Sequence, residues 1–91
     1  MAIMIDDARV AAHDRFWCHL ASDTSFDELH AFVAQFAIPP KGFDGDHYDV
    51  PVERRAALIA AGAESVTSRE LVKRLTSAGL RRRQSRRDKR R

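Results

Sequence analysis

The sequence predicts an α/β fold: a small three- to four-stranded sheet covered by about three helices, one domain with a basic C-terminal tail. Three observations point there. Short stretches with period-2 apolar alternation occur at residues 2–7 and 16–20, and residues 64–66 read as a further short strand. Capped segments with a helical apolar stripe lie between and after them, giving the order strand, strand, helix, optional strand at 47–50, helix, strand, helix. Finally, 91 residues that are 44% hydrophobic, without an internal repeat or a linker, suffice for one small core.

The elements follow in chain order. Ile3 and Ile5 alternate with Met4 and Asp6, and this strand ends in the acids Asp6 and Asp7. Residues 8–15 are mixed and read as a loop, with His13 incidental. In the second strand Phe16, Cys18 and Leu20 share one face and Trp17 and His19 the other. Ser25 with Glu28 three positions on is a capping box, so Thr24 or Ser25 starts a helix. Leu29, Phe32, Val33 and Phe36 form its apolar stripe, and Pro39 and Pro40 end it. Residues 41–46, with Gly42 and Gly45, read as a loop. Residues 47–50 read as a short strand or extended lead-in, and Pro51 as the first position of a second helix. That helix spans residues 53–61 and is capped by Gly62; residues 64–66 form a last short strand. Thr67 or Ser68 caps a third helix, with Leu71, Val72 and Leu75 inward and Gly79 as its stop.

Charge divides the chain. Residues 81–91 hold eight basic residues against one Asp, +7, which leaves −4 of the net +3 for residues 1–80. The expected division is therefore a mildly acidic domain at 1–80 and an Arg-rich tail at 81–91, disordered or ordered by a partner. Arguments for nucleic acid from the basic pI concern the tail alone. The longest wholly apolar run, residues 56–61, is far short of the roughly 20 residues that span a bilayer. The N-terminus, MAIMIDDARV, lacks a basic region ahead of its apolar residues. With one cysteine, Cys18, there is no internal disulfide and no cysteine-rich zinc site. A cytoplasmic protein with no membrane association is expected.

Candidate chemistry gathers at element ends, where open α/β sheets bind ligands. Asp6 and Asp7 could hold a divalent cation through oxygen ligands or cap a turn. His47 and Asp49 project to one side of an extended chain; they could bind a metal or orient a general base, or lie in a solvated loop with Asp49 as a helix cap. His19 alternates with core residues beside Trp17, and a structural imidazole tied to an acid is its ordinary reading. His30 sits at the edge of the first helix's apolar stripe, as a boundary histidine or a flank of a site. Arg69 opens the third helix, where it pairs with Glu70 or reaches a phosphate. Motifs for a phosphate loop, a nucleophile elbow, HExxH and CxxC are absent. Cys18 and His19, adjacent in a strand, point to opposite faces and make no nucleophile pair.

The strings IDD, WCHLASDT, DELHAF, DHYDV, AAGA and SRELVKRL, in that order, resemble a small bacterial and phage family, domain of unknown function 4031, over about residues 2–80. The resemblance implies no established activity. Some members are joined to phosphohydrolase-type domains, which implies nucleotide or phosphate chemistry. The polar positions that match are Asp6, Asp7, His19, Asp23, His30, His47, Tyr48 and Asp49, with Arg69 and Glu70. The sequence departs from the family at residues 8–12, which are small and bland, and in its tail.

Two functions follow as expectations. In the first, Asp6, His19, His47 and Asp49 form a catalytic set at one sheet edge, with Asp7, His30, Tyr48 and Arg69 as ligand-binding flanks. The ligand is phosphate- or nucleotide-like, and two versions stay open: a divalent metal such as zinc or manganese assists, or Asp and His handle protons on the ligand without a metal. In the second, the chain is a non-enzymatic accessory module: Arg81, Arg82, Arg83, Arg86, Arg87, Lys89, Arg90 and Arg91 contact RNA or DNA phosphates, or the body binds a protein through Trp17 and Phe43.

Overall fold

The structure, a computed structural model, describes residues 2–81, and the tail cations from Arg82 onward lie outside the described residues. A mixed five-stranded sheet forms around the longest strand, β3 (Arg15–Ser22). One edge of β3 pairs antiparallel with β4 (Tyr48–Pro51), setting Leu20 opposite Tyr48 and Cys18 opposite Val50. Its other edge takes β1 (Ile3–Ile5) and β2 (Val10–Ala12) end to end, both antiparallel. A two-residue strand, β5 (Glu64–Ser65), adds in parallel outside β1.

The sheet thus exceeds the expected three or four strands, and the gain lies in residues 8–15. What reads as loop is β2 and a tight hairpin turn. His13 and Asp14 both take left-handed conformations, φ 51° and 63°. Two consecutive left-handed residues match the twist of paired strands, and Asp tolerates that region better than most side chains. The signal is faint because Val-Ala-Ala offers no alternation.

Asp6 explains why β1 and β2 are separate. Between Ile5↔Leu20 and Val10↔Trp17, residues 6–9 lie opposite only residues 18 and 19. The chain bulges there. Asp6 N–H still donates to the His19 carbonyl at 3.0 Å, but the return bond from His19 N–H goes to Asp6 Oδ1, at 2.9 Å, not to its carbonyl. The displaced Asp6 carbonyl accepts from Arg55 Nε at 2.8 Å. A carboxylate has replaced a ladder carbonyl.

The sheet's two faces have different covers. Ile3, Ile5, Cys18, Leu20, Tyr48 and Val50 face α1 (Phe26–Ala34) and α2 (Arg55–Ala60), which contribute Leu29, Val33 and Leu58. The opposite face sets Met4 and Ala21 against Leu71 and Leu75 of α3 (Ser68–Ser77). Each fully buried leucine contributes about 1.5–3 kcal/mol. Helix α3 covers the β1 end of this face and leaves Trp17 and His19 partly open.

The helix caps match their sequence signals. Ser25 Oγ accepts from Glu28 N–H and Thr67 Oγ1 from Glu70 N–H, each at 3.0 Å. Glu28 does not close a capping box, because its carboxylate takes the Ser22 hydroxyl instead. Gly62 and Gly79 follow α2 and α3 with φ 119° and 79°, values that disfavour a side chain. Pro51 corrects the second helix. It ends β4 with ψ 139°, a 3₁₀ turn spans Val52–Arg54, and α2 begins only at Arg55, so Asp49 is a strand residue and not a helix cap. Val72 and Phe16 are 37% and 45% exposed, outside the core that the period assigned them to. No described helix is long and apolar enough to cross a membrane.

Replacing Asp6 with alanine strands the His19 and Ala8 amides that its carboxylate accepts from. Asp6→Ala should lower unfolding free energy by about 2–4 kcal/mol. Urea denaturation should show a lower midpoint with an unchanged slope, and Asp6→Asn should fall between the two.

Candidate functional site

Strand alternation brings the site together. Because Tyr48 and Val50 point into the core, Asp49 points the other way, directly opposite His19 in the ladder. His47, just before β4, joins them: the two imidazoles meet edge to face with centroids 5.0 Å apart.

Each imidazole is held by its own carboxylate. His19 Nδ1 lies 2.8 Å from Asp6 Oδ2, and His47 Nδ1 lies 2.7 Å from Asp46 Oδ1. Both acids are buried, at 1% and 9% exposure. Asp6 also accepts from the Ala8 and His19 amides and from Ser68 Oγ, in the first turn of α3, at 2.9 Å. Asp46 accepts from Arg81, with Nε at 2.7 Å from Oδ2 and a second guanidinium nitrogen 3.3 Å from Oδ1. Burial alone would push both carboxyls up. For Asp6 the hydrogen bonds from the ring and amide of His19 and from Ser68 outweigh burial, and its pKa is lowered to about 2. For Asp46 the bonds from His47 and Arg81 do the same, again to about 2. The Asp6 hydrogen bond raises the His19 pKa against the opposing effect of burial.

These contacts fix the tautomers. An ionised carboxylate can only accept, so both Nδ1 atoms carry the proton. In the neutral rings the lone pairs therefore sit on Nε2, and both Nε2 atoms face one oxygen, Asp49 Oδ1. The distances are 3.6 Å from His19 and 3.3 Å from His47. Two lone pairs against a carboxylate repel unless a cation lies between them or a ring is protonated. The three donor atoms lie within 4.8 Å of one another. Donors in a tetrahedral zinc shell with 2.0–2.1 Å bonds are spaced by about 3.3–3.4 Å. Asp49 is 41% exposed, so the cluster opens to solvent.

Of the residues expected to be catalytic, Asp6, His19, His47 and Asp49 are contiguous, though Asp6 reaches the cluster only through His19. The flanks do not join it. Tyr48 is buried on the α1 face, where its hydroxyl meets His30 Nδ1 at 2.7 Å and both rings pack on Phe43. Strand parity forbids Tyr48 from sharing a face with Asp49. Asp7 is exposed past the strand end. Arg69 is exposed on α3 and makes no hydrogen bond or ion pair to the cluster or to Glu70 among the described residues. Asp23 pairs with Arg74 at 2.6 Å and accepts from the Ala2 amide. Phe43 packs among Phe26, His30 and Tyr48, so it is no free anchor. Cys18 is fully buried with its thiol pushed up to about 11, in keeping with an inert side chain. The sequence did not single out Asp46, Ser68 or Arg81 as supports for the cluster. Asp46 had a signal in its place beside His47; the other two are far along the chain.

A groove of about 800 Å³ extends from His19 and Asp49 along Trp17 and Arg15 to Lys41 and Arg54. His13 of the hairpin turn and residues Pro39, Gly42 and Phe43 also line it.

A family model described as protein of unknown function (DUF4031) matches residues 3–78, and the chain belongs to that family. No curated protein and no solved structure matches the chain.

The pair Asp6–His19 sets a pH optimum for stability. Asp6 titrates below its ordinary 3.8, so its contribution is full above that value and is lost as pH falls toward 2. His19 titrates above its ordinary 6.5, so its contribution is full below 6.5 and is lost as pH rises through the raised value. Melting temperature of metal-free protein should therefore peak between about pH 4 and 6.5. Asp6→Asn should flatten the alkaline limb and shrink the acid limb, leaving the parts due to Asp46 and Asp23, whose carboxyls are also held below the usual range.

Proposed function

We propose that this DUF4031 domain binds one divalent transition-metal ion, zinc or manganese, through His19 Nε2, His47 Nε2 and Asp49, and that the ion acts on a phosphate- or nucleotide-like ligand. The observation behind this is the paired arrangement just described. Two imidazoles have their Nδ1 protons committed to buried carboxylates and their Nε2 lone pairs turned on one further carboxylate. Carboxylates placed so orient a metal-binding imidazole and raise its basicity. Two imidazoles and one carboxylate suit zinc, manganese or ferrous iron and leave coordination positions for water and ligand.

A bound ion would polarise a phosphoryl oxygen and acidify a water ligand, the chemistry of phosphoester hydrolysis. The chain's own residues have separate tasks. Asp6 and Asp46 hold the two rings and supply negative charge that favours the cation. Arg81 keeps Asp46 ionised and aimed. Lys41, Arg15 and Arg54, along the groove, offer positive charge to the ligand's phosphate.

Calorimetry should find one zinc or manganese ion per chain in wild type. His19→Ala, His47→Ala and Asp49→Ala should each reduce affinity at least a hundredfold. Asp46→Asn and Arg81→Gln, which leave every ligand atom in place, should cost about 10–100-fold. Wild type that takes up neither ion, or a folded Asp49→Ala that binds as wild type does, sinks the reading.

A further inference from the structure

We propose that the groove takes a nucleoside phosphate, its base stacked on Trp17 and its phosphate directed toward His19, His47 and Asp49. This deepens the reading above and depends on it only for where the phosphate points.

Trp17 and His19 share a face of β3 two residues apart, which spaces the side chains by roughly 7 Å. That is the order of the span from a base to its own 5′-phosphate. Trp17 is also held ready. Its indole Nε1–H donates to the Ala12 carbonyl at 2.9 Å, within the hairpin, and the Arg15 guanidinium lies 5.7 Å from the ring centre. With the indole proton used internally, the ring can recognise a ligand only through its π surface, and stacking on an aromatic surface tolerates any base.

The charge around Trp17 selects for an anion. Residues 1–80 contain eight Lys and Arg against twelve Asp and Glu. The groove takes three of those cations, Arg15, Lys41 and Arg54, but only two of the acids, Asp44 and Asp49. It is thus locally positive on a negative body, and one of its acids belongs to the proposed metal centre. Inorganic phosphate would leave the aromatic wall unused, and a neutral aromatic ligand would leave the cations unused. A nucleoside phosphate uses both. The volume, about 800 Å³, lies within the range of small-ligand sites. Either a free nucleotide or the phosphorylated end of a single strand presents this chemistry.

Trp17 is the chain's one tryptophan, so its fluorescence reports on the groove alone. The full chain would be titrated, zinc-loaded and zinc-free, with AMP, adenosine, ribose 5-phosphate and a short 5′-phosphorylated single-stranded oligonucleotide. AMP should quench the emission and bind at least tenfold more tightly than adenosine or ribose 5-phosphate. By equilibrium dialysis, Trp17→Leu should weaken AMP binding about five- to a hundredfold, Trp17→Phe should restore most of it, and Lys41→Ala should weaken it and lessen its salt dependence. Tighter binding of AMP, or of the oligonucleotide, identifies the source, and either result supports the assignment. Equal affinity for AMP and ribose 5-phosphate overturns it, as does AMP binding unchanged in Trp17→Leu. Zinc calorimetry on the same variants separates the two readings. Intact zinc binding with no AMP binding refutes the nucleotide assignment alone, and AMP binding by a wild type that takes up no zinc in calorimetry refutes the metal alone.

Discussion

The carboxylate of Asp6 is the constraint on which the rest of the molecule depends. A buried charge of this kind is tolerable only when its oxygens are fully hydrogen-bonded. Two backbone amides, an imidazole and the Ser68 hydroxyl meet that requirement. Meeting it has structural consequences at three levels. The strand bulges, which divides β1 from β2. The start of α3 is fastened to the end of β1. And the ring of His19 is held in one tautomer and one orientation. Fold and chemistry share the same four contacts, so neither can be altered at Asp6 without the other.

Around that anchor the domain repeats one device. Asp46 does for His47 what Asp6 does for His19, from a loop instead of a strand and with Arg81 instead of Ser68 as its support. The two rings converge although their carboxylates come from opposite sides of β3. What unites them is β4. By burying Tyr48 and Val50 it turns Asp49 outward, opposite His19, and makes that carboxylate the common neighbour of both imidazoles. The tripartite division of the surface follows: α3 seals one end of the open face, the histidine pair occupies its middle, and the groove past Trp17 takes the remainder.

Much of this was legible in the residues. The α/β class, the caps at Ser25 and Thr67, the stops at Gly62 and Gly79 and the alternation through Cys18, His19 and Leu20 rest on local physics, and local physics is what a sequence displays. The grouping of His19, His47 and Asp49 was readable because each is polar and one step along the chain from core residues, which turns it to the opposite face. Tyr48 and His30 lie apart from the cluster for a reason equally local. Tyr48 lies between His47 and Asp49 in the chain and hence on the other side of the sheet, taking His30 with it. The second strand escaped notice because Val-Ala-Ala has no contrast, and its turn uses His13 and Asp14 where glycine would have announced it. Ser68 and Arg81 were out of reach, since only tertiary packing brings them to acids 62 and 35 positions away.

The guanidinium of Arg81 blurs a boundary that composition draws cleanly. By charge, the domain stops at Leu80 and the arginine run starts one residue later. By contact, the first arginine of that run belongs to the body, because Asp46 and through it His47 lean on it. A chain shortened to Leu80 would not be a simple subtraction of the tail. It would remove a cation from Asp46 and set a terminal carboxylate close by, so an imidazole would be loosened by an edit aimed elsewhere. A cut placed after Arg81 leaves that support standing.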